Sequence, residues 1–172
     1  MKTKLLLLIC VTLLRATIVD AQTAASSWVH YTAKGEEFSV ALPTLPAMTT
    51  TQVAVPRAGK QVQERSMKTW ADGVLYSVYS LENPTPKQSL EDFIAEQTAM
   101  SALDPASERR LSINGFGGKE YASQDKTIPR TQQFFATEGR LYRFVVVGAA
   151  ADDPRVRQFF ASIALGKKQK AT

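Results

Sequence analysis

RTQQFFATEGRLYRFVVVG, residues 130–148, holds the strongest β signal in the chain. Thr, Phe, Tyr and Val crowd its two arms, and such side chains favour a pleated, half-buried surface. Glu138-Gly139 interrupts them, and a short glycine-containing break between two β-prone runs predicts a hairpin. Alternation along the second arm puts Leu141 and Arg143 on one face and Tyr142, Phe144 and Val146 on the other. The hairpin is therefore expected to be a packing platform, with Phe159, Phe160 and Ile163 available to cover one face.

Downstream, Asp152 or Asp153 can cap a helix whose first turn accepts Pro154, where a missing N–H is harmless. Val156, Phe159, Phe160, Ile163 and Ala164 give that final helix an apolar stripe, and Gly166 is expected to stop it. Upstream, residues 108–114 predict a short strand with Leu111 and Ile113 inward. Gly115-Phe116-Gly117-Gly118 then reads as a loose turn into Lys119-Glu120-Tyr121-Ala122.

Residues 28–32 and 38–42 predict a first hairpin, closed by Lys34-Gly35-Glu36 and ended by Pro43. A Thr- and Val-rich strand over residues 49–55 runs into a turn at Pro56-Arg57-Ala58-Gly59-Lys60. Residues 61–70 alternate but are mostly polar, which places that strand near a sheet edge or solvated on one face. Asp72-Gly73 is a strong hairpin signal, and residues 74–81, apolar on both faces, predict a central strand covered by helices on both sides. After the rigid Asn83-Pro84-Thr85-Pro86 connector, Ser89 offers an N-cap to a helix from Leu90 to about Leu103. Leu90, Phe93, Ile94, Met100 and Leu103 form its stripe, and Asp104-Pro105 ends it. The fold class expected is α+β, a single domain over residues 28–165 with a curved antiparallel β-sheet packed by two main helices.

The N-terminus reads as a targeting segment. Lys2 and Lys4 precede a ten-residue apolar run from Leu5 to Leu14, far short of the roughly 20 residues a membrane-spanning helix needs. Small residues at Val19-Asp20-Ala21 fit a cleavage site, so residues 1–21 are expected to be a signal peptide and 22–27 a flexible lead-in. Arg15 is the one discordant feature, and an uncleaved membrane anchor is the alternative. Removing Lys2, Lys4, Arg15 and Asp20 takes the formal charge of the chain from +5 to +3. The one cysteine, Cys10, leaves with the signal. The exported domain then has no disulfide and no thiolate, and must be held by its core. Residues 166–172 form a basic tail.

Four pieces recur in a recognisable order: Gly35-Glu36-Glu37-Phe38-Ser39-Val40-Ala41-Leu42-Pro43, Gly118-Lys119-Glu120-Tyr121, Gly139-Arg140-Leu141-Tyr142-Arg143-Phe144, and Phe159-Phe160-Ala161-Ser162-Ile163. Together they resemble the small exported α+β domains of bacteria whose layout is similar to the Mog1/PsbP-like α/β/α sandwich. That resemblance implies an antiparallel sheet with helices packed against it and no enzyme chemistry.

The residues themselves offer no reactive constellation. His30 is the only histidine, and one His without Cys assembles neither a usual zinc site nor a Cys–His dyad, so a structural or surface role is expected. No serine sits in a Gly-x-Ser-x-Gly turn. Gly115 to Lys119 fails as a phosphate loop, with Ile113 where the first glycine belongs and Glu120 where Ser or Thr should be. Glu36 and Glu37, neighbours in an extended segment, point to opposite faces. No catalytic residue, cofactor site or metal site is expected. The mild charge and the export signal disfavour nucleic acid. Basic residues such as Arg65, Lys68, Arg140 and Arg143 are expected mainly on solvated faces, or else as a basic sheet edge for anionic envelope polymer or lipid.

One candidate ligand cleft, between helix and sheet, is lined by Tyr76, Phe93 and Tyr142. The functional expectation is an exported, periplasmic or extracellular, non-enzymatic accessory or binding domain of the cell envelope. Its partner would be a protein or envelope component, with membrane contact only through a retained signal segment. The alternatives are a carboxylate-dependent hydrolase using Glu120 with Asp125, and a module that recruits a partner by β-augmentation along residues 61–70.

Overall fold

Strand β9, Arg140–Val147, lies in the middle of a seven-stranded antiparallel sheet, paired with β8, Arg130–Ala136, on one side and β5, Val74–Glu82, on the other. The computed structural model describes residues 28–55, 59–83 and 88–166, with only the backbone of Ala99 and Met100. The expected signal peptide and lead-in, residues 56–58 of the turn at 56–60, residues 84–86 of the connector at 83–86 and the tail beyond Gly166 lie outside the described residues, as does the side chain of Met100.

The remaining strands are β1 Val29–Tyr31, β2 Phe38–Leu42, β3 Ala47–Val55, β4 Lys60–Ala71, β6 Arg109–Ile113, β7 Phe116–Ala122 and β10 Ala164–Leu165. The large sheet has the order β3-β4-β5-β9-β8-β7-β6, and β1-β2-β10 form a second, three-stranded sheet. Helix α1, Leu90–Ser101, carries the chain from the centre of the large sheet to its far edge, from which β6, β7, β8 and β9 return as a meander. Helix α2, Pro154–Ala161, then leads to β10. The whole is a single α+β domain.

The turns follow local chemistry. Asp72 and Gly73 adopt φ of 49° and 75°, and Asn114 and Gly115 adopt 51° and 85°; two successive left-handed residues match the twist of a tight hairpin. The β8–β9 turn is instead closed by Thr137, whose N–H donates to the Arg140 carbonyl at 2.8 Å and whose Oγ1 accepts from the Arg140 N–H at 3.1 Å. Ser89 caps α1 by accepting from the Asp92 N–H at 3.1 Å, and Asp153 caps α2 by accepting from the Arg155 N–H at 2.8 Å.

Each face of the large sheet has its own core. On one, Tyr76, Val78, Tyr142, Phe144 and Val146 pack against β2 and against Val156 and Phe159 of α2. On the other, Leu81, Phe134 and Leu141 pack under Phe93 and Ile94 of α1. The expected covering of β5 on both sides holds in outline, but one cover mixes a small sheet with α2 and the other stops short of the strand's end.

Four expectations need correction. Strand β4 lies next to the sheet edge, as expected, but β3 pairs with its residues 60–68 and β5 with its residues 64–71, so residues 61–70 offer no free edge for β-augmentation. Three of its polar residues have internal partners: Ser66 bonds Thr49 at 2.7 Å, Thr69 bonds Thr44, and Arg65 reaches Glu36, while Lys60, Gln61 and Lys68 are exposed. The described edges are β3 and β6. Residues 116–118 belong to β7, and the turn needs only Asn114 and Gly115. Gly118 is there for packing, because a Cβ at that position would overlap the Phe135 ring. Helix α2 ends at Ala161, not Gly166, and Ile163 and Leu165 are buried from an extended segment that happens to continue the helical spacing. Helix α1 ends at Ser101, where Ala102 turns left-handed at φ 45°, so Leu103 is bridged to Ser123 and Asp104 caps a separate 3-10 turn, Pro105–Ser107.

Candidate functional site

Tyr76, Tyr142 and Phe93 do not line one cleft. Tyr76 and Tyr142 are buried on the α2 side, where Tyr76 lies 5.5 Å from the Phe159 ring and Tyr142 lies 5.4 Å from Phe38. Phe93 is on the opposite side of the sheet, edge-on to Phe134 at 5.9 Å. Period two decides this, since the strand residues facing α1 include Tyr79 and Arg143, three and one positions from Tyr76 and Tyr142 and so on the opposite face.

A cleft does lie between α1 and the sheet, with a volume of about 630 Å³. It exists because α1 covers the sheet only around Leu81, Phe134 and Leu141. Past its last turn the strands run on, and Leu75, Ser77, Val145, Val147 and Gln132 form a floor, with Glu96, Gln97 and Ser101 along the helix wall.

Arg143 stands at the centre. Its Nη1 donates to Gln97 Oε1 at 2.5 Å and to Ser101 Oγ at 3.1 Å, and the guanidinium lies 4.2 Å over the Tyr79 ring. Burial lowers its pKa from the ordinary value, against the opposing influence of Tyr79 and Glu64. Among the described residues no carboxylate is within ion-pair distance of it. Glu64, also in the lining, has its pKa raised by desolvation, with Arg143 and Lys68 opposing.

Four buried polar atoms in this cleft have no hydrogen-bond partner among the described residues: Ser77 Oγ, Gln132 Nε2, Arg143 Nε and Glu96 Oε1. Ser77 and Gln132 are each 1% exposed. Both are registered with Val145, one from either flank, and Arg143 is the next inward residue along the same strand. Strand spacing of about 4.8 Å and a two-residue step of about 6.8 Å place these side chains in neighbouring positions. Buried polar groups are ordinarily satisfied, so four such atoms in one cavity mark it.

The other polar clusters are structural in character. Glu36, in the β1–β2 loop, has a fully buried side chain paired with Arg65 at 3.1 Å and Arg140 at 3.3 Å, and it accepts from Ser80 Oγ at 2.5 Å and Tyr142 Oη at 3.2 Å. Such an ion cluster ties the small sheet's loop to the large sheet. The expectation of Arg140 on a solvated face is corrected here, and that of Arg143 by the cleft, because both guanidiniums are drawn inward to polar partners. Glu120 accepts from Gln133 Nε2 at 2.7 Å and pairs with Arg109 at 3.2 Å. Asp125 accepts from the Thr127 N–H and hydroxyl at 2.8 and 2.6 Å in an exposed loop. Glu120 lines a cleft near α2 with Asp152, and Asp125 lines neither cleft. His30 is exposed on β1 opposite Ala41.

A signal for the α1-side cleft was present in the sequence. Ser77, Gln132 and Arg143 are polar residues inside the three most β-prone runs, and all fall on one face once the strands are in register. No family model, no curated protein and no solved structure matches the chain.

Proposed function

We propose that this protein is an exported, non-enzymatic accessory or binding domain of the cell envelope that holds a small ligand between α1 and the large sheet. The observation that carries the reading is the cleft of about 630 Å³ whose floor and wall hold four buried polar atoms without a protein partner. Its size and its mixture of apolar walls with a few convergent polar groups suit small-molecule recognition. Export is supported by the charged start, short apolar run and small-residue cleavage pattern of residues 1–21. The Mog1/PsbP-like resemblance is compatible with a sheet carrying a helix on each face, although a three-stranded sheet shares one of those faces here.

Native mass spectrometry of protein isolated from an envelope fraction tests this. The expected result is a bound compound of a few hundred daltons that is lost from a folded Ser77→Phe variant, in which the ring occupies the cleft floor beside Gln132 and Arg143. Retention of the compound in that variant overturns the assignment of the site.

A second reading has partner recruitment by β-augmentation at β3, relocated from residues 61–70. It is supported by nine consecutive residues without a charge on a described sheet edge, Ala47–Val55, where proteins usually place charges to prevent pairing. Hydrogen exchange decides it: strong protection of the outward-pointing β3 amides, those not bonded to β4, in the isolated monomer would remove the reading.

A further inference from the structure

We infer that the cleft takes a small zwitterion with an apolar body, of the α-amino acid class, its carboxylate on Arg143, Gln132 and Ser77 and its ammonium group on Glu96. This rests on the reading of the cleft as a ligand site and names what the site selects.

Arg143 makes the case for the carboxylate. Its Nη1 is held by the neutral acceptors of Gln97 and Ser101, which orient the guanidinium without neutralising it, while Nε is left without a partner. Buried charges are normally paired, because desolvation without a counter-charge is costly. An anionic oxygen is the group that best answers this, and charge-assisted hydrogen bonds to Arg are the strong ones. Gln132 Nε2 and Ser77 Oγ add two donors on the strands flanking Arg143.

Glu96 makes the case for the ammonium. Its Oε1 is a buried acceptor on the opposite wall. A simple carboxylic acid would leave it unpaired, and Glu64 in the same lining would repel a second negative charge. With Arg130 and Arg143 the cleft sets two cations against two carboxylates. A ligand bearing both charges is complementary to both, whereas a dianion such as a phosphate ester matches one half and opposes the other. Val53, Leu75, Val145 and Val147 provide the apolar wall that selects the body.

Isothermal titration calorimetry on the mature chain, with L-phenylalanine and L-leucine as probes, tests the inference. The comparison ligands are 3-phenylpropionate, which lacks the ammonium, and phenethylamine, which lacks the carboxylate. Binding of an amino acid at least about tenfold tighter than either half-molecule is expected. Ser77→Val and Gln132→Met should each weaken it about tenfold without lowering the melting temperature. Glu96→Gln should reduce phenylalanine to the affinity of phenylpropionate. Equal binding of phenylalanine and phenylpropionate to the native chain, unchanged affinity in Ser77→Val and Gln132→Met, or no binding of either amino acid overturns the inference. If a co-purified compound is still displaced by Ser77→Phe while no amino acid binds, the ligand class is wrong and the site stands. If the compound survives Ser77→Phe, the site itself is wrong.

Discussion

The two faces of strand β9 divide the molecule's labour. Tyr142, Phe144 and Val146 look toward α2, none of them measurably exposed, and Phe144 makes aromatic contacts with Phe38, Phe135 and Tyr142 at 5.6 to 6.1 Å. Arg143 and Val145 look toward α1 across a cavity, in the company of unpartnered polar atoms. The same backbone carries both, because successive side chains leave a strand on opposite sides. What differs is the cover. On the α2 side a helix and a small sheet interlock with the strands, whereas α1, twelve residues long, stops before the strands do. The larger packed core therefore lies on one face, and the unpartnered polar atoms gather on the other beside a smaller core.

Substitutions on the two faces should therefore differ sharply in effect. Phe144→Asp should be the most damaging, burying an unpaired carboxylate among aromatic rings and costing upwards of about 4 kcal/mol, enough to unfold the domain. A native-like melting temperature for this variant would show that the α2-side core is not where stability resides. Next comes Glu36→Gln, which leaves Arg65 and Arg140 without their shared buried carboxylate. A loss of about 3 kcal/mol in urea denaturation is expected, since removing one partner of a buried ion cluster strands the others.

The cleft face should behave in the opposite manner. Ser77→Val exchanges an unpartnered buried hydroxyl for two methyl groups beside open space, so stability should change by no more than about 0.5 kcal/mol or rise. A loss of 2 kcal/mol or more would mean that the hydroxyl is satisfied within the fold. The smallest effect concerns pH. Desolvation raises the pKa of Glu64 above 4.5 in the folded chain. A carboxyl raised in this way favours folding most below the unfolded value, and that contribution is lost as pH rises through the folded value. Glu64→Gln should flatten this part of the pH–stability curve, with stability relative to the native chain improved at neutral pH. A pH profile unchanged by Glu64→Gln would remove Glu64 from the cleft's electrostatics.

Much of the fold was legible because the signals were local. The β8–β9 hairpin, the Asp72-Gly73 turn, the Ser89 cap and the Asp153-Pro154 start each depend on a few adjacent residues, and each appears where its chemistry directs. The misread segments all involve residues whose polarity or size answers a distant partner. Gly118 reads as a turn glycine until Phe135 is laid over it. The polar run of β4 reads as a surface open to a partner strand until β3, Thr44, Thr49 and Glu36 are brought to it. Ile163 reads as helix because an extended residue can sit at the same spacing as the preceding turn.

For the candidate site, sequence alone determined the alternation of β5, β8 and β9, and with it that Tyr76 and Tyr142 point away from Tyr79 and Arg143. It also determined that a helix beginning after Ser89 would lie near them. Only the tertiary structure decided which set that helix faces and how far along the strands its cover extends. Alternation is a property of one chain segment, but the identity of the covered face depends on the register of strands more than fifty residues apart and on where α1 crosses the sheet. The cleft and its unpartnered Ser77, Gln132, Arg143 and Glu96 arise from that crossing, which no local pattern encodes.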